Sequence, residues 1–234
     1  VGKKIYTACG NTIKRLALEL GGNAPFIVFD DANIELAING ALNARFYNSG
    51  QICVGANRFL VHKKIYKKFT QKLSNEVKKL KVGNYLDKNN DLGPIINLSA
   101  IKRINHLIQD ATNKGAKIMT GGLQSDNSTL FYKPTVLSNM SVNMDAYKNE
   151  IFGPVACIYS FSDESQAIKM SNNTQAGLAA YIYTKDQKRL KLFINSLEAG
   201  VVGANTANIF SNDLPFGGIK QSGLGREHGW HCLD

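Results

Sequence analysis

Apolar residues recur along this chain with two different periods. Short runs rich in β-branched and aromatic residues predict strands at residues 25–29, 57–61, 116–119, 132–137, 155–161, 179–184 and 200–204, because such side chains fit a pleated, buried surface. Between them, apolar positions three and four apart predict helices over residues 34–46, 99–113, 164–170 and 185–196, the spacing of one helix face. Asp30-Asp31-Ala32-Asn33 offers capping oxygens ahead of the first of these. A leading helix through Ile5 and Cys9 and a strand over residues 15–20 complete the set. The lysine-rich stretch that begins at His62 keeps Ile65, Phe69, Leu73, Val77 and Leu80 at helical spacing, which sends its lysines to an outer face. Strands alternating with helices imply an α/β architecture, a largely parallel twisted sheet flanked by helices in one compact domain. The most loop-like polar stretches, residues 87–91 and 121–128, lack the length of a domain linker.

Composition changes this picture little. With 44% hydrophobic and 20% charged residues in 234, the chain reads as an ordinary globular protein. No apolar run approaches the roughly 18 residues that cross a bilayer, and the start lacks a signal-peptide pattern. The expectation is a cytoplasmic protein with no membrane partner. A net charge of +10 raises the question of nucleic acid. The lysines, however, fall on the solvent face of an amphipathic helix with little aromatic interleaving, and no nucleic-acid motif accompanies them, so no nucleic-acid partner is expected. The four cysteines, Cys9, Cys53, Cys157 and Cys232, are scattered without paired or metal-ligand spacing, which predicts no metal and suits a reducing compartment. Cys9 and Cys157 lie in apolar surroundings and are expected to be buried packing residues.

Candidate chemistry gathers at glycines. Leu18-Glu19-Leu20-Gly21-Gly22 offers an acid and Ser49-Gly50-Gln51-Ile52-Cys53 a thiol, each beside residues that let the backbone approach a ligand closely. Together they supply a nucleophile and a separate general base. Glu19 stands between two leucines, where an unpaired buried carboxylate costs several kcal/mol unless its pKa rises. Two further stretches follow: Glu150-Ile151-Phe152-Gly153-Pro154-Val155, and Pro215-Phe216-Gly217-Gly218 running on through Ser222-Gly223-Leu224-Gly225-Arg226-Glu227. Neither glycine-rich run is a phosphate loop; both read as tight backbone passages beneath a site.

These four motifs, in this order, resemble the NAD(P)-dependent aldehyde dehydrogenases, from Val1 to about Glu227. The resemblance implies an aldehyde dehydrogenase-like catalytic domain over residues 21–218, preceded at 1–20 by the end of a Rossmann-like cofactor-binding domain. Residues 219–234 would begin a C-terminal segment without its oligomerisation strand, so that the chain represents a C-terminal half. It implies that Cys53 attacks the aldehyde to give a thiohemiacetal, that hydride leaves to NAD or NADP, and that Glu19 activates the water that hydrolyses the resulting thioester. It assigns Glu150 to the ribose hydroxyls on the nicotinamide side and Phe152 to the nicotinamide itself, with Leu20 beside the cofactor. The Cys53 amide would donate to the oxyanion. Partners implied are a small-molecule aldehyde and, for the parent protein, further copies of itself in a dimer or tetramer.

The run Val202-Gly203-Ala204-Asn205-Thr206-Ala207-Asn208-Ile209-Phe210-Ser211 is most similar to the branch that oxidises succinic semialdehyde to succinate. There a serine at the place of Ser211 contacts the substrate's distal carboxylate. That branch also commonly carries an arginine clamp where this chain has Tyr47, and Arg45, two places away on a helix, is expected to face elsewhere. Val54 rules out a regulatory disulfide with the residue next to Cys53. The alternative is a catalytically inactive fragment, or a split-gene half that needs the missing cofactor-binding half. A Cys-His hydrolase finds no base among His62, His106, His228 and His231.

Overall fold

The computed structural model describes residues 1–84, 86–124 and 129–233. In chain order, α1 (Gly2–Ala8) and β1 (Leu18–Glu19) precede β2 (Ala24–Val28), α2 (Ile34–Phe46), β3 (Ala56–His62), α3 (Tyr66–Val77) and α4 (Leu98–Asn113). Then come β4 (Lys117–Thr120), β5 (Thr135–Ser138), α5 (Asp145–Lys148), β6 (Val155–Phe161), α6 (Glu164–Asn172), β7 (Ala176–Gly177), β8 (Ala179–Tyr183) and α7 (Gln187–Ser196). The last are β9 (Val201–Ala204), β10 (Ile219–Lys220) and β11 (Gly223–Leu224).

Seven strands form the main sheet in the order β4-β5-β6-β3-β2-β8-β9. Every neighbouring pair is parallel except β4 with β5. β2, β3 and β8 are buried at every residue, as central parallel strands covered on both faces should be. Side-chain alternation divides the core between those faces. Ile27 and Leu60 join α4 through Ile101 and Ile104 and α7 through Phe193. Phe26, Phe59 and Val61 meet α2 through Ile38 and Ala41, and α3 through Phe69 and Leu73. The outward-facing lysines expected on α3 follow from this packing, since Phe69, Leu73 and Val77 are fully buried. Asn33 caps α2 by accepting from the Glu35 and Leu36 amides.

The strand expected over residues 15–20 shrinks to two residues, paired only with β11; residues 13–15 are exposed and Ala17 has no ladder partner. The strand expected from residue 132 begins at Thr135, after Pro134, which has no N–H to give a ladder. Cys9 is half-buried in a 3-10 turn (Cys9–Asn11) rather than packed in the core. Cys157 is fully buried as expected, and burial pushes its thiol up to about 12. Residues 125–128 of the second loop-like stretch lie outside the described residues.

Candidate active site

The motif residues stand at one end of the sheet, on the segments that enter its parallel strands. Gly21 and Gly22 lead into β2, Cys53 into β3, and Glu150 and Phe152 into β6. They therefore lie at the amino ends of the strands, the opposite edge from the carboxyl-end crevice where open α/β sheets most often bind ligands.

Cys53 sits half-buried in a turn closed by the Gly55 amide donating to the Ile52 carbonyl at 3.0 Å. The turn is anchored from both sides. Asn48 and Ser49 take the left-handed conformation, with φ of 48° and 55°, an uncommon backbone for a serine. The Ser49 hydroxyl donates to the Gly93 carbonyl at 2.8 Å, and Gln51 binds the Pro94 carbonyl and the Ile96 amide at 3.2 and 2.8 Å. Behind Cys53, the buried Tyr181 hydroxyl donates to the Val54 carbonyl at 2.9 Å.

Burial raises the Cys53 thiol above its ordinary value; the Glu150 and Glu19 carboxylates raise it further, against the backbone amides of Cys53 and Val54, which lower it. Both motif carboxylates thus act on the same sulfur. Glu19 itself is exposed on β1, not enclosed by its flanking leucines. Pairing of Glu19 with Gly223 on β11 orders the backbone without covering the side chain. Partial desolvation still lifts its carboxyl, Glu227 lifts it again, and Arg226 and a hydrogen bond from the Gly218 backbone oppose them.

Glu150 is half-buried over the glycine pair. The Gly22 amide donates to its Oε1 at 3.1 Å, and its other oxygen lies against Gly21, where a Cβ would collide with it. A Cβ on Gly22 would collide with the Cys53 carbonyl. The Gly21-Gly22 pair is therefore the close-approach point that brings acid and thiol segments together. Burial raises the Glu150 carboxyl; the Gly22 amide, Arg45 and Arg103 pull it down. Glu150 opens onto a polar cavity of about 720 Å³ shared with Gly21, Asn172, Thr174 and Gln221. A half-satisfied carboxylate at such a cavity fits hydroxyl donors of a sugar. Phe152 is left-handed, with φ 48°, and half-buried beside Gln51, Ile96 and Leu130. Leu20 lines a separate, more apolar cavity with Tyr6, Leu18 and Leu224.

Tyr47 is 69% exposed and borders a cavity of about 320 Å³ with Asn43, Ile52, Val54, Tyr181, Asn208 and Phe210. Ile52 and Val54 flank Cys53 in sequence, so this cavity borders the nucleophile's turn, although Cys53 itself does not line it. Ser211 does not line it; its neighbour Phe210 does. The Ser211 hydroxyl accepts from the Asp213 amide at 3.4 Å, and its carbonyl lies 3.4 Å from His228 Nδ1. Arg45 faces away from Tyr47 as expected. It is buried, and donates to the Ala56 carbonyl at 3.4 Å and to that of Gly153. Three buried polar residues at this end, Asn23, Asn57 and Arg58, carry no motif. Their only sequence signal is polarity at the edge of apolar strand runs.

His62 lies 3.0 Å from the Ser162 carbonyl, and His106 beside Asp145; neither acts on Cys53. Among the described residues no cluster suits a metal ion, and no helix is long and apolar enough to cross a membrane.

The model of the aldehyde dehydrogenase family matches residues 1–234. The chain belongs to that family. It is 50% identical to the mitochondrial succinate-semialdehyde dehydrogenase of Oryza sativa subsp. japonica, over all of this chain and 44% of the relative. The succinate-semialdehyde dehydrogenase of Burkholderia pseudomallei superposes with a TM-score of 0.97 at 45% identity, covering all of this chain and 48% of that one. The betaine aldehyde dehydrogenase of Staphylococcus aureus, solved with NAD+, superposes with a TM-score of 0.94 at 38% identity, over 99% of this chain and 47% of that one. This aldehyde dehydrogenase chain thus spans about half the length of the relatives it matches, and its largely parallel α/β sheet is the one they share.

Proposed function

We propose that the protein carrying this chain oxidises an aldehyde to a carboxylic acid with NAD or NADP, succinic semialdehyde to succinate being the leading case. The observation that carries this is the Gly21-Gly22 passage, which packs the Glu150 carboxylate against one glycine and the Cys53 carbonyl against the other, bringing acid and thiol segments far apart in sequence together. A thiol raised in pKa is protonated at rest and must lose its proton before it can attack. That proton passes to solvent, and Glu19, exposed on β1, remains a carboxylate for the hydrolysis step. The Cys53 sulfur then bonds to the carbonyl carbon, and the Cys53 amide donates to the oxygen as negative charge develops there. When bound, NAD(P)+ supplies the hydride acceptor. The acyl group left on sulfur is released when Glu19 takes a proton from water, whose oxygen attacks the thioester and returns the thiol. Glu150 holds the ribose hydroxyls and stays in place between Gly21 and Gly22. Phe152 and Leu20 offer apolar contact to the same cofactor.

The named activity of the rice and Burkholderia relatives supports the substrate. The cavity bordered by Ile52 and Val54 offers a distal carboxylate the neutral donors Tyr47, Asn43 and Asn208, and Ser211 lies outside its lining, next to Phe210. The complete protein, given succinic semialdehyde with NAD+ or NADP+, is expected to form reduced cofactor, and Cys53→Ala to abolish it. An activated ester without cofactor should acylate Cys53 selectively over Cys9, Cys157 and Cys232. Uniform labelling, or turnover that survives Cys53→Ala, defeats the assignment. Selective acylation by this 234-residue chain alone would mean that it preassembles the nucleophile site by itself.

A further inference from the structure

Asn57 occupies the second position of β3 and is completely buried. A primary amide in that setting costs free energy unless its hydrogen-bonding groups find partners. Its Nδ2 donates to the Asn23 Oδ1 at 2.8 Å, to the Asn149 carbonyl at 3.0 Å and to the Ala146 carbonyl at 3.2 Å. Its Oδ1 accepts from the Ile151 amide at 3.0 Å. A flipped amide would face its oxygen toward three acceptors, so the orientation is fixed by chemistry. Two of these bonds bracket one residue: the carbonyl before Glu150 and the amide after it.

The bracket is itself braced. Asn23 donates to the Tyr147 carbonyl at 3.0 Å and Thr174 Oγ1 at 3.2 Å. The Asn23 carbonyl accepts from Arg58 Nη2 at 2.9 Å and Nε at 3.2 Å. Beyond Glu150, the Arg45 guanidinium holds the Gly153 carbonyl. The segment between has no regular secondary structure and includes the left-handed Phe152, so its backbone position is set by these side-chain bonds. Burying a three-armed amide there, on the strand that begins just after Cys53, ties the height of Glu150 to the nucleophile's own strand.

We infer that Asn57 is the positioning residue for Glu150, setting where its carboxylate stands and therefore how tightly the cofactor ribose is held. This rests on the reading of Glu150 as the ribose acceptor, and the test separates the two. Binding of NAD+ and of NADP+ to the complete protein is measured by calorimetry without aldehyde, for the parent, Asn57→Ala, Glu150→Gln and the double variant. Glu150→Gln should weaken binding about tenfold, the loss of a charge-assisted hydrogen bond. Asn57→Ala should weaken it by a similar factor and speed hydrogen exchange at the Ile151 amide. In the Glu150→Gln background, Asn57→Ala should add less than about twofold, because a residue that acts through Glu150 has nothing left to position. Should Asn57→Ala fail to fold, Asn57→Ser, which keeps a hydroxyl, carries the same cycle. Equal losses in both backgrounds, or unchanged affinity in Asn57→Ala while Glu150→Gln weakens binding, overturns the inference. Unchanged affinity in Glu150→Gln overturns the Glu150 reading first, and the role of Asn57 with it.

Discussion

At the scale of single residues, the Cys53 thiol carries the clearest consequence. Burial, Glu150 and Glu19 all raise its pKa, so the reactive thiolate is the minor species at neutral pH and grows as pH rises. Alkylation of Cys53 by iodoacetamide should therefore keep accelerating through the alkaline range, past the midpoint of an ordinary cysteine near 8.5. Glu19→Gln removes one of the raising charges. It should lower the thiol pKa and speed alkylation at fixed pH, while aldehyde turnover falls about 100-fold for want of the base. A variant that slows both, or neither, would show that Glu19 does not act on this sulfur. As candidates, Cys53, Glu19, Glu150 and Phe152 were legible because each sits in a short motif that contains glycine. The exposure of Glu19 was not, since flanking leucines indicate burial only if the strand is covered, and β1 is an isolated two-residue pair. Asn57 and the partners of Arg45 were illegible for a related reason: what a buried polar side chain does depends on groups distant in sequence.

Among the elements, the glycine pair entering β2 divides stability from function in a testable way. A methyl group on Gly21 would meet the carboxylate end of the Glu150 side chain, which can rotate aside, whereas one on Gly22 would meet the Cys53 backbone carbonyl, which cannot. Gly21→Ala should fold with stability within about 0.5 kcal/mol of the parent yet bind NAD+ about tenfold more weakly, as Glu150 loses its place. Gly22→Ala should lose about 1–3 kcal/mol, the usual cost of overpacking, and move the thiol as well. Thermal unfolding and cofactor calorimetry on the two variants decide this; equal destabilisation would mean that Glu150 is no freer than the backbone. Apolar runs located all seven strands of the main sheet, most clearly the five inner ones, which are buried on both faces; the edge strands β4 and β9 are less covered. They missed β7, β10 and β11, which are two residues long and exist through tertiary pairing alone.

Over the whole molecule, charge and apolar surface pull in opposite directions. The net charge of +10 is spread over a lysine-rich exterior, part of it neutralised locally by Lys64 with Asp30, Lys72 with Glu35 and Lys79 with Glu76. Copies of the chain therefore repel at low salt. Around α1 and β11, however, Tyr6 and Leu224 are 61% and 48% exposed and join Leu18 and Leu20 along a cavity of about 780 Å³. Contiguous apolar surface of this kind favours association. Salt screens the repulsion, with a Debye length of about 10 Å at 0.1 M falling to about 3 Å at 1 M, and leaves the apolar attraction in place. The 234-residue chain expressed by itself should accordingly self-associate in sedimentation velocity, and more strongly as salt is raised. Tyr6→Glu with Leu224→Glu should return it toward monomer at every salt concentration. A chain that is monomeric throughout would show that this surface is too small or too divided to bind a second copy. One that dissociates with added salt would place the attraction in complementary charge instead, on the mixed lysine and carboxylate surface of α2 and α3.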